Sequence, residues 1–384
     1  MKNVLLVFGG KSYEHDISVV TASQIYNKTR LDDVKLIPLY LSRNNEFYVY
    51  TAGIFDIKDF SRLNFKNSSK KFKEVSFVSG EKCRLFAKTR FGLKEYLYAE
   101  DIVFACHGGL GENGELVAFF KEYGFGTSAG NIDSLSICMN KYLFKQTMKG
   151  LKIPVVQGFK ITKNDYMKNF EEFKYRLKFL HFPIIMKSNN GGSSIGLFVV
   201  KNRKEFDEKL KQSFEFDDEV LIENYCEKAR EFNVAIIGNS DSFDVSEIDE
   251  PVKLDEVLSF SDKYLSGGKG KKNVVSKNSM VSQVRKFPAD IPLDLSNKIK
   301  LIAAKVFKNL GLSGVVRIDF LYQQNSNKLY VCEVNAIPGS LAYYFFANNK
   351  ITTNNLVQKL IEISAMSRQK ETCLNKEYFT NILD

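Results

Sequence analysis

The stretch NVLLVFGG at residues 3–10 decides the fold class of the first part of the chain. Its apolar run ends in Gly9 and Gly10, and apolar residues then recur at helical spacing over residues 17–25. A buried strand, a glycine turn and a helix in this order are typical of an α/β domain with a parallel sheet. The same order recurs at residues 101–123, where DIVFAC precedes a glycine-rich turn and a predicted helix.

The chain has 384 residues, enough for two or three domains at roughly 150 residues each. We predict an N-terminal α/β domain at 1–129 with an insertion at 44–98, a central unit at 130–221 and a C-terminal unit at 222–384. The patterns predict helices at 134–150, 167–180 and 295–310, and strands at 34–41, 155–160, 184–187, 219–225, 314–322 and 328–335.

Composition excludes several classes of protein. A hydrophobic share of 44% and a charged share of 26% are typical of folded globular domains rather than disordered or collagen-like chains. No apolar stretch approaches the roughly 20 residues that a membrane-spanning helix needs. The apolar run near the start is too short for a signal peptide. We therefore expect a cytoplasmic protein with no membrane partner.

Charge and cysteine placement narrow the partners further. The formal net charge is +10, but most lysines are interleaved with acids, as in KNRKEFDEKLK at 201–211. That pattern is typical of a solvated surface, so we expect no nucleic-acid partner. The six cysteines are scattered without CxxC spacing, which predicts buried free thiols and oxygen ligands for any metal.

Two predicted strands near the C-terminus carry the clearest indication of chemistry. Arg317 and Asp319 alternate in VVRIDFL, and Glu333 and Asn335 alternate in YVCEVN. Because side chains alternate across a strand, each pair shares one face, and the intervening turn can bring all four together. Two carboxylates and an amide oxygen suit Mg²⁺. These polar residues have poor strand propensity, which favours a metal site over a solvated sheet face.

A glycine- and serine-rich segment is a candidate phosphate loop. The sequence KSNNGGSSIG at 187–196 begins at the end of a predicted strand. Backbone N–H groups of such a loop can surround phosphate oxygens, and Lys187 supplies positive charge. By itself the segment would suggest an ordinary surface turn, but a Mg²⁺ site nearby favours the phosphate hypothesis.

Two other glycine motifs partly match known nucleotide-binding sequences. GLGENG at 109–114 matches GxGxxG, and Asp133 lies about 20 residues further on, as in dinucleotide-binding domains. However, Asp133 does not end an apolar strand, and Glu112 would place a carboxylate among phosphates. We favour a turn that presents His107 and Glu112 at the end of a strand. GKS at 10–12 lacks the first glycine of a P-loop.

Several motifs, taken in chain order, resemble those of the D-alanine–D-alanine ligase family. They are GGKSYEHDIS at 9–18, HGGLGENG at 107–114, KSNNGGSSIG at 187–196, DKY at 262–264, and RIDF followed by CEVNAIPGS through residue 340. The resemblance implies a substrate-binding N-terminal domain followed by a two-lobed ATP-grasp fold that holds ATP and two ions of Mg²⁺ or Mn²⁺. It also implies that ATP phosphorylates one D-alanine and that the amine of a second displaces the phosphate. The product would be D-alanyl-D-alanine for peptidoglycan synthesis, and the relatives are commonly homodimers.

The same resemblance implies roles for individual residues. The metal ligands would be Asp319, Glu333 and Asn335. The ATP-binding set would comprise Lys141 and Lys187 at the phosphates, Glu223, Cys226 and Glu231 at the adenine and ribose, and Ser194, Lys263 and Leu321. At the substrates, Glu14, which would be linked through Ser193 to Tyr264, would anchor the ammonium group of the first D-alanine. Arg317 and the Gly339 N–H would form an oxyanion hole. His107 would help to deprotonate the amine of the second D-alanine.

The sequence also departs from the family pattern. Gly191 stands where many members have an acid, and Tyr344 where some have a serine that grips the second carboxylate. The presence of Tyr264 favours D-alanine over D-lactate as the second substrate. Two alternatives stay open at this point: an ATP-grasp ligase with another acid and amine, or a regulatory protein that binds NAD at the GxGxxG motif.

Overall fold

The computed structural model describes residues 1–62, 65, 69–168, 175–252, 285–349 and 351–373. Within these ranges the strands form three sheets, of eight, four and five strands, flanked by helices. The predicted α/β class is confirmed. Short 3₁₀ segments lie at Ile57–Phe60, Ser69–Lys71, Gly109–Gly111, Gln324–Ser326 and Gly339–Asn349.

The N-terminal sheet has the strand order β6-β5-β4-β3-β2-β1-β7-β8. Its strands are β1 (Lys2–Gly9), β2 (Val34–Leu41), β3 (Phe47–Tyr50), β4 (Phe72–Ser76), β5 (Arg84–Thr89), β6 (Gly92–Tyr98), β7 (Asp101–Phe104) and β8 (Gly126–Thr127). β1 pairs in parallel with β2 and β7, whereas β3 to β6 add antiparallel strands. The predicted insertion at 44–98 therefore extends this sheet rather than forming a separate module.

Helices α1 (His15–Lys28) and α2 (Glu115–Glu122) belong to the same domain. Gly9 ends β1 with a φ of +94°, and a Cβ there would lie 2.3 Å from the Leu41 carbonyl oxygen. Only glycine fits this close approach of two strand ends. The turn directs the chain into α1, as the opening stretch predicts.

Two helices connect the first domain to the central one. The predicted helix at 134–150 is two helices, α3 (Ile132–Met139) and α4 (Lys141–Gly150), because Asn140 leaves the helical conformation between them. The Asn140 side chain accepts a hydrogen bond of 2.9 Å from the Leu143 N–H and so caps α4.

The central unit is an antiparallel sheet with its own hydrophobic core. Its strands are β9 (Gly158–Thr162), β10 (Ile184–Ser188), β11 (Phe198–Val200) and β12 (Glu219–Asn224), in the order β11-β10-β12-β9. Helices α5 (Lys163–Lys168) and α6 (Arg203–Ser213) accompany it. β12 pairs with both β9 and β10, so the predicted boundary at 221/222 falls within a strand of this sheet. The predicted helix at 167–180 falls partly outside the described residues.

The C-terminal unit is a five-stranded antiparallel sheet. Its elements are β13 (Arg230–Gly238), β14 (Phe243–Pro251), β15 (Arg285–Lys286), β16 (Gly314–Gln323) and β17 (Lys328–Asn335), with helices α7 (Leu293–Asn309) and α8 (Thr353–Cys373). Its core is continuous with that of the N-terminal domain, since Phe104, Phe120, Ile236, Val316 and Leu356 belong to one buried cluster. The central unit has a separate cluster.

Cysteine burial differs from the expectation of six buried thiols. All six are free, but Cys226 and Cys332 are half-buried and Cys373 is exposed. Cys226 and Cys332 line a cavity, which accounts for their partial exposure. Within the described ranges, none of the helices combines the length and the apolar content needed to cross a membrane.

Candidate active site

Two adjoining cavities lie where the three units meet. The larger, of about 620 Å³, lies between the central and C-terminal sheets. The smaller, of about 80 Å³, also reaches the N-terminal domain. Lys141, Ser193, Glu231 and Glu333 line both. The larger is also lined by Lys187, Ser194, Glu223, Cys226, Asp319 and Leu321. The smaller is also lined by Glu14, His107, Arg317, Asn335 and Gly339.

Every predicted site residue within the described ranges thus lines one cavity or the other. Tyr264 and Lys263 lie outside the described residues, as does the rest of the DKY motif. Sequence reasoning therefore identified residues that come from all three units and meet in space.

The predicted acidic hairpin forms as β16 and β17. Its register pairs Asp319 with Glu333 and Arg317 with Asn335. The Arg317 guanidinium donates two hydrogen bonds of 2.7 Å, one to each Asp319 oxygen. The Asn335 amide donates to the same carboxylate at 3.0 Å. All four side chains therefore lie together, as the alternation along each strand predicts.

The acidic cluster fits a divalent cation. Burial raises the pKa of Asp319 to about 6 against the effect of Arg317, and the Glu333 and Glu231 carboxylates raise it further. A cation would relieve this repulsion, and carboxylate and amide oxygens are the ligands that hard divalent cations prefer. Asp319, Glu333 and Asn335 are thus a suitable donor set.

Two buried lysines flank Glu223 at the wall of the larger cavity. The Nζ of Lys187 on β10 lies 2.9 Å from one Glu223 oxygen, and Lys145 on α4 forms an ion pair with the other. The charges of Lys145 and Lys187 outweigh burial and lower the pKa of Glu223. Burial would lower the pKa of Lys187, but Glu223 and further acidic groups raise it overall. The raised pKa of Lys187 favours its charged form.

The glycine-rich segment after β10 is held by its neighbours. Ser188 Oγ and the Asn190 N–H donate hydrogen bonds of 2.8 and 2.7 Å to the Asp217 carboxylate. Lys141, at the start of α4, donates to the Gly191 carbonyl. Burial lowers the pKa of Lys141, although the Glu333 charge opposes this effect. This loop, Lys141 and Lys187 all line the larger cavity.

Glu14, at the start of α1, meets this loop. Ser193 Oγ donates a hydrogen bond to the Glu14 carboxylate. A Cβ on Gly192 would lie 2.6 Å from a Glu14 oxygen, and one on Gly108 would lie 2.7 Å from it. The two glycines therefore permit two chain segments to approach the carboxylate of Glu14.

His107 is buried at the end of β7. Its Nδ1 lies 2.7 Å from the Ile337 carbonyl oxygen, and its Nε2 lies 2.8 Å from the Thr21 hydroxyl. Because a carbonyl only accepts, this network assigns the proton to Nδ1, and Nε2 accepts from Thr21. Burial lowers the pKa of His107 and keeps the ring neutral.

Glu112 lies within the GxGxxG turn, and its carboxyl group accepts backbone hydrogen bonds. Its carboxylate accepts hydrogen bonds of 3.0 Å from the Gly108 N–H and 3.2 Å from the Ile337 N–H. Burial, and then the Glu14 charge, raise its pKa to about 7. The Glu112 carboxyl group thus packs against its own turn, where its negative charge would oppose a dinucleotide phosphate, which argues against an NAD site.

Sequence reasoning missed several residues of this site. Lys145 and Thr21 carry no motif, and their partners are distant in the chain. Asn233 on β13 lies opposite Asp319, and its amide, with nitrogen and oxygen exchanged, donates to that carboxylate at 3.0 Å. The i, i+4 spacing of Lys141 and Lys145, which places both on one helix face, was the one indication in the sequence that Lys145 belongs to the site.

A cavity between two antiparallel sheets, lined by lysines and acids beside an N-terminal α/β domain, is the arrangement of an ATP-grasp ligase. The family model for the D-ala D-ala ligase N-terminus matches residues 3–126, and the model for the C-terminus matches residues 147–362. The chain belongs to the D-alanine–D-alanine ligase family, whose members are ATP-dependent, ADP-forming enzymes that use a divalent metal.

Individual relatives agree with this assignment. The D-alanine–D-alanine ligase of Thermosipho melanesiensis is 35% identical over 366 residues, which cover 94% of this chain and 93% of the relative. The crystal structure of the Helicobacter pylori D-alanine–D-alanine ligase is 27% identical, with a TM-score of 0.71 over 94% of this chain and 98% of that one. The VanG D-Ala:D-Ser ligase of Enterococcus faecalis shares the fold at 23% identity, with a TM-score of 0.76 over 94% of this chain and 99% of that one.

Proposed function

We propose that this chain joins two D-alanines into D-alanyl-D-alanine for the synthesis of peptidoglycan precursors. The observation that carries the proposal is the junction of the two cavities at Lys141, Ser193, Glu231 and Glu333. The larger cavity suits a nucleotide, and the smaller suits a small amino acid whose carboxylate faces the phosphates. Family membership supplies the identity of the amino acid.

The reaction proceeds in two displacements. A carboxylate oxygen of the first D-alanine attacks the γ-phosphorus of ATP, and ADP leaves. The amine of the second D-alanine then attacks the acyl carbon, loses a proton, and displaces inorganic phosphate. Each bond formed replaces one that breaks, so no oxidant or further reactant is needed.

The chain's own residues support this chemistry by charge and position. Lys141 and Lys187 would neutralise phosphate oxygens, and Glu223 with Glu231 would orient the nucleoside. Glu14, held by Ser193, would anchor the first ammonium. Arg317 and the Gly339 N–H line the smaller cavity, where they would stabilise the oxyanion of the tetrahedral intermediate.

A divalent metal would be held by Asp319, Glu333 and Asn335. We propose Mg²⁺, with Mn²⁺ as a substitute and with two ions bound. When present, the metal would neutralise charge on the phosphate oxygens. Arg317 currently occupies both Asp319 oxygens, so metal binding must share or displace this ion pair.

The fold alone does not select the second substrate, because an enzyme with the same fold is named for D-serine. Tyr344 stands where some family members have a serine. In this structure the Arg285 guanidinium lies 4.5 Å from the centre of the Tyr344 ring. We propose that D-alanine is nevertheless the second substrate, and that the enzyme works in the cytoplasm as a homodimer without nucleic-acid or membrane partners.

A substrate panel tests the proposal. Phosphate release from Mg-ATP is measured with D-alanine, L-alanine, D-serine, and D-alanine plus D-lactate, and each product mass is determined. Release with D-alanine alone and a dipeptide mass would support the proposal. Release only with another acid or amine would contradict the substrate assignment while keeping the ligase class.

A further inference from the structure

Three consecutive residues after Gly339 adopt a left-handed backbone conformation that L-residues rarely adopt. Ser340, Leu341 and Ala342 have φ values of 55°, 47° and 48°. All three side chains are buried. Such a conformation persists only where the surrounding structure holds it. The turn begins directly after Gly339, which lines the smaller cavity.

Four side chains of the N-terminal domain hold the segment 337–340. Glu112 accepts a hydrogen bond of 3.2 Å from the Ile337 N–H, and His107 donates one of 2.7 Å to the Ile337 carbonyl. Thr21 accepts one of 3.0 Å from the Ser340 N–H, and Gln24 accepts one of 2.6 Å from Ser340 Oγ. Both ends of the segment are therefore fixed by another domain.

Thr21 joins the two ends of this network. Its hydroxyl accepts from the Ser340 N–H and donates to His107 Nε2 at 2.8 Å. Thr21 is only 1% exposed, so water cannot easily replace either hydrogen bond. By donating to Nε2, Thr21 also keeps the His107 proton on Nδ1, which faces the Ile337 carbonyl.

We propose that Thr21 is a positioning residue for the ligation step. Through Ser340 and His107 it fixes the segment that carries the Gly339 N–H, so that this N–H points at the oxyanion of the tetrahedral intermediate. The inference rests on the proposed function, because it requires Gly339 to act in the oxyanion hole. His107 has a positional role in this arrangement, since both of its ring nitrogens are already hydrogen-bonded.

The test compares Thr21→Val, which keeps the shape and removes the hydroxyl, with Thr21→Ser, which keeps the hydroxyl. Steady-state phosphate release with D-alanine and Mg-ATP gives kcat and the KM for ATP. We expect kcat of Thr21→Val to fall about 100-fold, as for a reacting group displaced by about 1 Å. The KM for ATP should stay near the wild-type value, and Thr21→Ser should recover most of kcat.

Thr127→Val is the matched control. Thr127 is equally buried in the same domain, and its hydroxyl has no hydrogen-bond partner among the described residues. It should retain the wild-type kcat. A thermal shift with Mg-ADP establishes that each variant is folded and binds nucleotide. If Thr21→Val does not fold, Thr21→Ala, which also removes the hydroxyl, replaces it, with a similar fall in kcat expected at unchanged KM for ATP.

A folded Thr21→Val enzyme, or a folded Thr21→Ala enzyme in its place, with wild-type kcat would overturn the inference. A rise in the KM for ATP equal to the fall in kcat would also overturn it, because the damage would then not be confined to the ligation step. Failure of the proposed function is distinguishable, since the wild-type enzyme itself would then release no phosphate with D-alanine.

Discussion

At the scale of single residues, the site is built from buried charges that compensate one another. Glu223 is 1% exposed and has one lysine on each carboxylate oxygen. Lys187 lines the larger cavity, whereas Lys145 does not. If Lys187 turns towards a phosphate of ATP, as the proposed function requires, Lys145 can still neutralise Glu223. In that proposal Lys145 makes Lys187 available to ATP.

The arrangement of two lysines around Glu223 predicts the effect of Lys145→Met. With Lys145 gone, Glu223 retains Lys187 as its single buried counter-ion, so the affinity for Mg-ATP should fall about tenfold. Loss of one partner of a buried pair should also lower the free energy of unfolding by about 3 kcal/mol. Titration calorimetry and thermal melts measure the two effects. Lys149→Met, an exposed lysine on the same helix, is the control, and unchanged affinity in folded Lys145→Met would refute the role.

Glu112 gives a prediction for the pH dependence of stability. Burial raises its pKa from the ordinary 4.5 to about 7 in the folded chain. Folding therefore favours the protonated carboxyl, and its contribution to stability is lost as pH rises from about 4.5 through about 7. In Glu112→Gln without nucleotide or metal, the melting temperature should decline less over this interval. The exposed Glu115→Gln should follow the wild type, and parallel curves for all three proteins would contradict the prediction.

Among single residues, contacts within one strand could be predicted from the sequence, whereas contacts between domains could not. Arg317 and Asp319 could be predicted as neighbours because two-residue periodicity fixes their common face. Thr21 and Ser340 could not, because 319 positions separate them and only the docking of two domains brings them together. The ion pair of Lys145 with Glu223 was missed for the same reason.

At the scale of elements, the hairpin of β16 and β17 carries the acidic cluster. Its strands were predicted within a residue of their observed bounds because both combine β-branched and aromatic residues. A β-bulge lies directly after Asp319, and no sequence pattern indicated it. Helix patterns were less exact, since a single helix was predicted where Asn140 divides α3 from α4.

The hairpin predicts a metal defect in Glu333→Gln. Removing one negative charge from the donor set should raise the Mg²⁺ concentration for half-maximal activity at least about tenfold, because charge count sets the affinity of such sites. Binding of Mn²⁺, followed by electron paramagnetic resonance, should weaken in parallel and gives a readout independent of turnover. Glu247→Gln, on β14 of the same sheet and paired with Lys300, should behave as the wild type. Wild-type metal dependence in Glu333→Gln would refute the ligand assignment.

At the scale of the whole molecule, the N-terminal domain and the C-terminal sheet share one hydrophobic core, whereas the central unit has its own. The smaller cavity thus lies mainly within one packed body, and the larger cavity lies between that body and the central unit. The family motifs predicted which segments meet here, but not that two of the three domains share a core. The separation into two cores depends on packing between residues that are far apart in the sequence. Local sequence patterns carry no information about that packing.

The proposed function depends above all on activation of the first carboxylate by phosphorylation. The most direct test supplies D-alanine with both carboxylate oxygens labelled with ¹⁸O, together with unlabelled Mg-ATP, and determines the masses of all products. We predict one ¹⁸O in each inorganic phosphate, one retained in the amide carbonyl of D-alanyl-D-alanine, and none in ADP. Unlabelled phosphate, or label in the nucleotide, would contradict the account.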